Sequence, residues 1–175
     1  MSAPAIAPGA RFDAVFRSEL GFVCNLLLRL GVREADVEDA AHDVFVTFHK
    51  KLSDYDPARP VRAWLAGIAV RVASDHRRRA HHRREVQALP IDPVDPSPSA
   101  EDEVDASKTR ALVLEALEDV REERRPVLVL HDIEGLSAPQ IAEALGVPLN
   151  TVYSRLRLAR ADMRAAVHKR REGAR

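Results

Sequence analysis

A chain with a single cysteine, Cys24, cannot close an intrachain disulfide and offers no cysteine cluster to zinc. Cys24 sits in an apolar run, where a thiol behaves as a small core hydrophobe. No apolar run is long enough to span a bilayer, so no membrane insertion is expected. Met1 to Ala10 carry no basic segment and hold Pro4 and Pro8, which argues against a secretory signal. The expectation is a soluble, cytoplasmic protein. Strand alternation and internal repeats are also lacking. Length fits one or two small domains. Net charge is lacking too, at +0, which at first argues against a nucleic-acid partner.

The zero hides segregation. Arg71, Arg77, Arg78, Arg79, Arg83 and Arg84 are opposed in their stretch only by Asp75 and Glu85. Asp92, Asp95, Glu101, Asp102, Glu103 and Asp105 follow with no basic residue among them. From Pro148 onward arginine and lysine dominate again, against Asp162 and Glu172. Two basic blocks flank an acidic one, a pattern that the sum conceals.

The most specific local signal runs from Leu130 to Leu156 and reads as a helix-turn-helix, a device that places one helix in a DNA groove. Ser137 followed three residues later by Gln140 is a capping box. Ile141, Ala142 and Leu145 give the helix it starts an apolar face. Gly146 supplies the left-handed residue that ends a helix, and Pro148 suits the start of the next. In that second helix Val152, Leu156, Ala159, Met163 and Val167 recur at helical spacing and face inward. Asn150, Thr151, Ser154 and Arg157 face away, with Arg155 and Arg160 on the flanks. Small polar groups and arginines suit base edges and phosphates.

The spacing predicts further helices upstream. Phe12, Val15, Phe16, Val23, Leu26, Leu27 and Leu30 mark a first one, stopped at Gly31. A second runs from about Glu34 to Lys51, with Val37, Ala40, Ala41, Val44 and Phe48 on one face. Ser53-Asp54-Tyr55-Asp56-Pro57 is a loop of turn formers. A third starts near Val61, turns Trp64, Leu65, Ile68 and Val72 inward, and ends in His76-Arg77-Arg78-Arg79. From Leu89 to Ala106 prolines and acids read as a linker. About 18 to 20 extended residues reach roughly 60–70 Å at ~3.3 Å each. Ala111, Leu114, Leu117, Val120 and Pro126 to Leu130 lead back into helix. The fold class expected is all-α: two small helical domains joined by a flexible acidic, Pro-rich linker.

Two segments together resemble the extracytoplasmic-function (ECF, group four) RNA polymerase sigma factors. Asp36-Val37-Glu38-Asp39-Ala40-Ala41-His42-Asp43-Val44-Phe45, Tyr55-Asp56-Pro57, Arg62-Ala63-Trp64-Leu65 and Asp75-His76-Arg77-Arg78-Arg79 are similar to the first conserved domain of that family. Val127-Leu128-Val129-Leu130, Glu134-Gly135-Leu136-Ser137, Ile141-Ala142-Glu143 and Thr151-Val152-Tyr153-Ser154-Arg155-Leu156 are similar to the second. The resemblance implies a region 2-like domain over residues 11–86, an acidic linker over 87–106 and a region 4-like domain over 107–170.

What the resemblance implies for function follows residue by residue. Asp36, Asp39, His42 and Asp43 would meet the clamp coiled coil of the largest polymerase subunit, with the flap region as a further contact. Tyr55, Arg62, Trp64, Arg71, Arg77, Arg78 and Arg79 would recognise and open the −10 element. Leu149, Asn150, Thr151, Tyr153, Ser154, Arg155, Arg157 and Arg160 would read the −35 element. Core RNA polymerase, promoter DNA and an anti-sigma factor are the implied partners, with no cofactor, no metal and no catalytic residue. Departures from the usual pattern are His42 in place of glutamine, Arg71 in place of asparagine and Tyr153 in place of lysine. His42 adds a charge that depends on pH.

Two other readings compete. A stand-alone helix-turn-helix regulator, with the first half as a dimerisation or sensor domain, explains the C-terminal half equally well. It leaves the first arginine cluster without a purpose. A hydrolase or metalloenzyme on His42, His49, His76, His81 and His82 finds no catalytic spacing.

Overall fold

The computed structural model describes residues 8–56, 58–87 and 101–173, and among them every regular element is helical. Helices α1 (Pro8–Arg29), α2 (Val37–Lys50) and α3 (Val61–Gln87) form the first bundle. Each contributes an apolar stripe at three- and four-residue spacing, which is what a helix must bury. Val23, Leu26, Leu27 and Leu30 from α1 and its end meet Ala40, Val44 and Phe48 from α2 and Leu65, Ala69 and Ala73 from α3. Each large side chain fully withdrawn from water contributes about 1.5–3 kcal/mol.

Chain reversal after α1 depends on Gly31. Its φ is +86°, and the Gly31 and Val32 amides donate to the carbonyls of Leu28 and Leu27 at 2.9 and 3.0 Å. That closes the helix end in the glycine-dependent manner. α3 runs well past the end expected at Arg79, since no proline or glycine interrupts Ala80 to Gln87.

The second bundle comprises α4 (Glu101–Glu118), α5 (Arg125–Leu128), α6 (Ala138–Leu145) and α7 (Leu149–Gly173). α4 begins inside the stretch expected to be linker. The part of the expected linker over residues 88–100 lies outside the described residues. Pro126 falls in the first turn of α5, where no intrahelical bond is lost. A π-helical turn, Val129–Ile133, then widens the chain path before α6.

The two bundles pack on one another, and one continuous core runs through both. α3 lies against α6, and α1 touches α4. At Gly67, in the middle of α3, an added Cβ would stand 2.6 Å from the Ala144 carbonyl oxygen of α6.

Candidate nucleic-acid and polymerase interfaces

The helix-turn-helix forms as its local chemistry dictates. The Ser137 amide donates to Gln140 Oε1 at 2.9 Å, closing the capping box. Gly146 adopts φ +66°, and the Val147 amide donates to the Ala142 carbonyl at 3.0 Å. These bonds fix the angle at which α7 leaves α6. Val152, Leu156 and Ala159 then lock the inner face of α7 into the core.

The opposite face is open to a ligand. Leu149 and Tyr153 are 39% and 53% exposed, unusual for apolar side chains on a packed helix. Asn150, Ser154 and Arg157 are exposed beside them, and Thr151 is half-buried. The Ser154 hydroxyl donates to the Thr151 carbonyl at 3.0 Å. Arg155 is placed differently: it is half-buried in a cleft with Val70 and Ser74 of α3. Arg160 is engaged within its own bundle. Its Nε and Nη2 donate to the Asp132 carboxylate at 2.8 and 2.6 Å, and His131 Nδ1 lies 2.8 Å from the same carboxylate. The Arg160 bond, above all, holds the Asp132 carboxyl below the usual aspartate range.

The residues matched to −10 recognition divide in the same way. Tyr55 is buried, donates to the Arg59 carbonyl at 2.9 Å and packs on Trp64 at 5.9 Å between ring centres. Trp64 is half-buried rather than fully core, and its indole Nε1 is shielded from solvent without a hydrogen-bond partner. Arg62 pairs with Glu19 at 2.8 Å and lies over the Phe22 ring. Arg77 donates to the Leu30 carbonyl and pairs with Glu122 at 2.7 Å, and Arg78 pairs with Asp75. Arg71 and Arg79 are exposed and carry no ion pair among the described residues. Arg71 shares a cleft of about 360 Å³ with Lys51, Arg59 and Trp64, and Gln140, Glu143 and Ala144 of α6 close its other side.

On α2 the expected polymerase-binding side chains are half committed. Asp39 and His42 are exposed. Asp36 pairs with Arg33, and Asp43 lies 2.9 Å from His76 Nε2. Sequence reasoning missed the apolar groove beside them, lined by Phe12, Phe16, Phe45 and Val46 with His42 and His49 on its rim. Phe16 belongs to the apolar stripe of the first helix, yet it stays 38% exposed in the fold. Among the described residues no three His, Cys, Asp or Glu side chains are grouped to hold a metal, and no helix is long and apolar enough to cross a membrane.

Comparison with known proteins gives a consistent picture. Residues 15–83 match the family described as Sigma-70 region 2, and residues 110–163 match Sigma-70 region 4. The ECF RNA polymerase sigma factor SigL of Mycobacterium tuberculosis is 33% identical over 161 residues, covering 91% of this chain and 90% of SigL. The RNA polymerase sigma factor CnrH of Cupriavidus metallidurans is 33% identical over 143 residues, covering 77% of this chain and 75% of CnrH. The solved structure of CnrH in complex with the cytosolic domain of CnrY superposes with a TM-score of 0.66 at 27% identity, over 90% of this chain and 88% of that one. The sigma factor RpoE of Bartonella quintana, solved with the anti-sigma factor NepR, shares the fold, with a TM-score of 0.68 at 20% identity over 90% of this chain and 97% of that one.

Proposed function

The chain belongs to the family of ECF RNA polymerase sigma factors, and from that premise we propose that it binds core RNA polymerase in the cytoplasm and directs it to promoters. It reads a −35 element through the outward face of α7 and a −10 element through α3 and the loop before it. It has no reaction of its own to catalyse. Nor is a cofactor needed.

The observation that carries this reading is the pairing of two unlike exposed surfaces in one chain. α7 presents Asn150, Tyr153, Ser154 and Arg157 together, a mix that fits base edges and phosphates. α2 presents Asp39 and His42 beside an apolar groove, a surface that fits a protein partner. The clamp coiled coil and flap region of polymerase are the proposed protein contacts. An anti-sigma factor competing for the same surfaces is proposed by analogy with the complex of RpoE with the anti-sigma factor NepR.

The two surfaces separate under mutation. Arg157→Ala lowers promoter transcription about tenfold, the size of one lost base or phosphate contact, and leaves polymerase binding unchanged. Asp39→Ala weakens polymerase binding on gel filtration and leaves the fold intact. Asp39 is the cleaner probe than Asp43, whose removal would also strand His76. Loss of polymerase affinity in Arg157→Ala, or none in Asp39→Ala, would break the assignment.

A further inference from the structure

The two most exposed large apolar side chains among the described residues stand together on α7. Tyr153 is 53% exposed and Leu149 is 39% exposed. They lie four residues apart, so they are neighbours on one face of the helix. Rotation of α7 cannot hide them, because Val152, Leu156 and Ala159 are buried on its other side and fix its register. Apolar side chains scattered singly over a surface are ordinary, but an adjacent pair within a polar face needs a reason. Asn150 and Arg157 flank Tyr153, three residues before it and four after, and both are exposed. Arg155 and Arg160 are drawn away, one into the cleft against α3 and the other onto Asp132. What remains on the outer face is a polar donor at each end, Asn150 and Arg157, with an apolar patch between them.

Base edges in the DNA major groove are donors and acceptors, and the apolar group they expose is the thymine C5-methyl. We propose that Leu149 and Tyr153 form a thymine-methyl reader, so that the element bound by α7 carries one or two thymines against them. This deepens the sigma-factor reading and rests on it, because it takes the outer face of α7 as the −35 reader. In a helix-turn-helix the N-terminal residues of the second helix are the ones that reach base edges. Leu149 is the first residue of α7, and Tyr153 lies one turn on. From Asn150 to Arg157 the helix rises about 10 Å at ~1.5 Å per residue. That spans about three base steps at ~3.4 Å each. An asparagine suits adenine N6 and N7, and an arginine suits guanine O6 and N7 or a phosphate. The thymine falls between those two contacts. The lysine usual in the family at position 153 would meet a phosphate as a point charge. A tyrosine ring instead meets a methyl group through its area.

The test selects sequences from a random DNA duplex library with the full-length chain, alone and bound to core polymerase. Enriched duplexes are resynthesised with deoxyuridine at each thymine in turn, which removes one methyl group and nothing else. Fluorescence anisotropy reads the affinity, and where two motifs appear only the upstream one is scored. Deoxyuridine at one or two neighbouring positions is expected to weaken binding about fourfold each, the size of one buried methyl group. The double variant Leu149→Ser with Tyr153→Lys should bind thymine and deoxyuridine duplexes alike, whereas Tyr153→Phe should keep the difference. Both positions are exposed, so the variants fold. A motif in which no thymine responds to deoxyuridine overturns the proposal. So does a difference that survives in the double variant, or a library that enriches no motif, since α7 then reads no base. Run-off transcription with core polymerase is scored separately. If it succeeds while the thymine dependence fails, the sigma-factor reading stands alone. If it fails while Leu149 and Tyr153 still discriminate thymine, the reader stands and the sigma-factor reading falls.

Discussion

At the scale of single residues, arginines that look alike in sequence have separate tasks. Arg157 is exposed on the outer face of α7, whereas Arg160, one turn on, is held by Asp132. Arg155, two residues earlier, sits in the cleft against α3. Spacing placed all three near the DNA-reading face and could not tell them apart, because their partners come from elsewhere in the chain. Arg160→Ala is therefore expected to act on stability, by about 0.2–1 kcal/mol at neutral pH, the range for a partly exposed pair screened by solvent. The pH dependence has a definite sign. Arg160 lowers the Asp132 pKa in the folded state, so the pair's contribution is fully present above the unfolded aspartate value. It is lost as the pH falls through the lowered folded value. Urea unfolding should show a gap between wild type and Arg160→Ala at neutral pH that closes in acid. A gap that persists in acid would assign Arg160 another role.

At the scale of elements, the helix-turn-helix was legible because its determinants are local. Ser137, Gln140 and Gly146 specify their own conformations within a few residues, and each does what its chemistry requires. Gly146→Ala forces an L side chain to φ +66°, which costs about 1–2 kcal/mol. Nothing lies within 4 Å of the added Cβ, so the loss comes from the backbone alone and should appear as a lower thermal midpoint with the same fold. An unchanged midpoint would mean that the turn does not need its left-handed residue. The three helices of the first bundle were equally legible from their apolar stripes. The π-helical turn over Val129–Ile133 was not, because a run of Val, Leu and Ile reads alike at either helical period. Neither was the true start of α4, where the acidic residues that suggested a linker instead form the first turn of a helix.

At the scale of the whole molecule, the seam between the bundles was beyond the reach of local pattern. Its markers are a helix-interior glycine, Gly67, and a buried arginine, Arg125, and each makes sense only once its distant neighbour is known. Arg77 shows the consequence. In sequence it belongs to a cationic cluster suited to phosphate, and in the fold it caps the end of α1 at Leu30 and reaches Glu122 of the other bundle. Arg59 drew no notice in the sequence and proves to hold Glu143 across the cleft. The second bundle thus packs on α3 through α6, while α7 keeps its own outer face exposed. In the proposed function core polymerase is the body that sets the two bundles on the promoter.

Run-off transcription tests that central claim most directly, with purified bacterial core polymerase, the full-length chain and a library of fragments from its own genome. The account predicts transcripts that appear only when chain and polymerase are both present, and that start downstream of a shared two-part motif. No such transcripts, with the chain folded and the same polymerase active with another sigma factor, would contradict it.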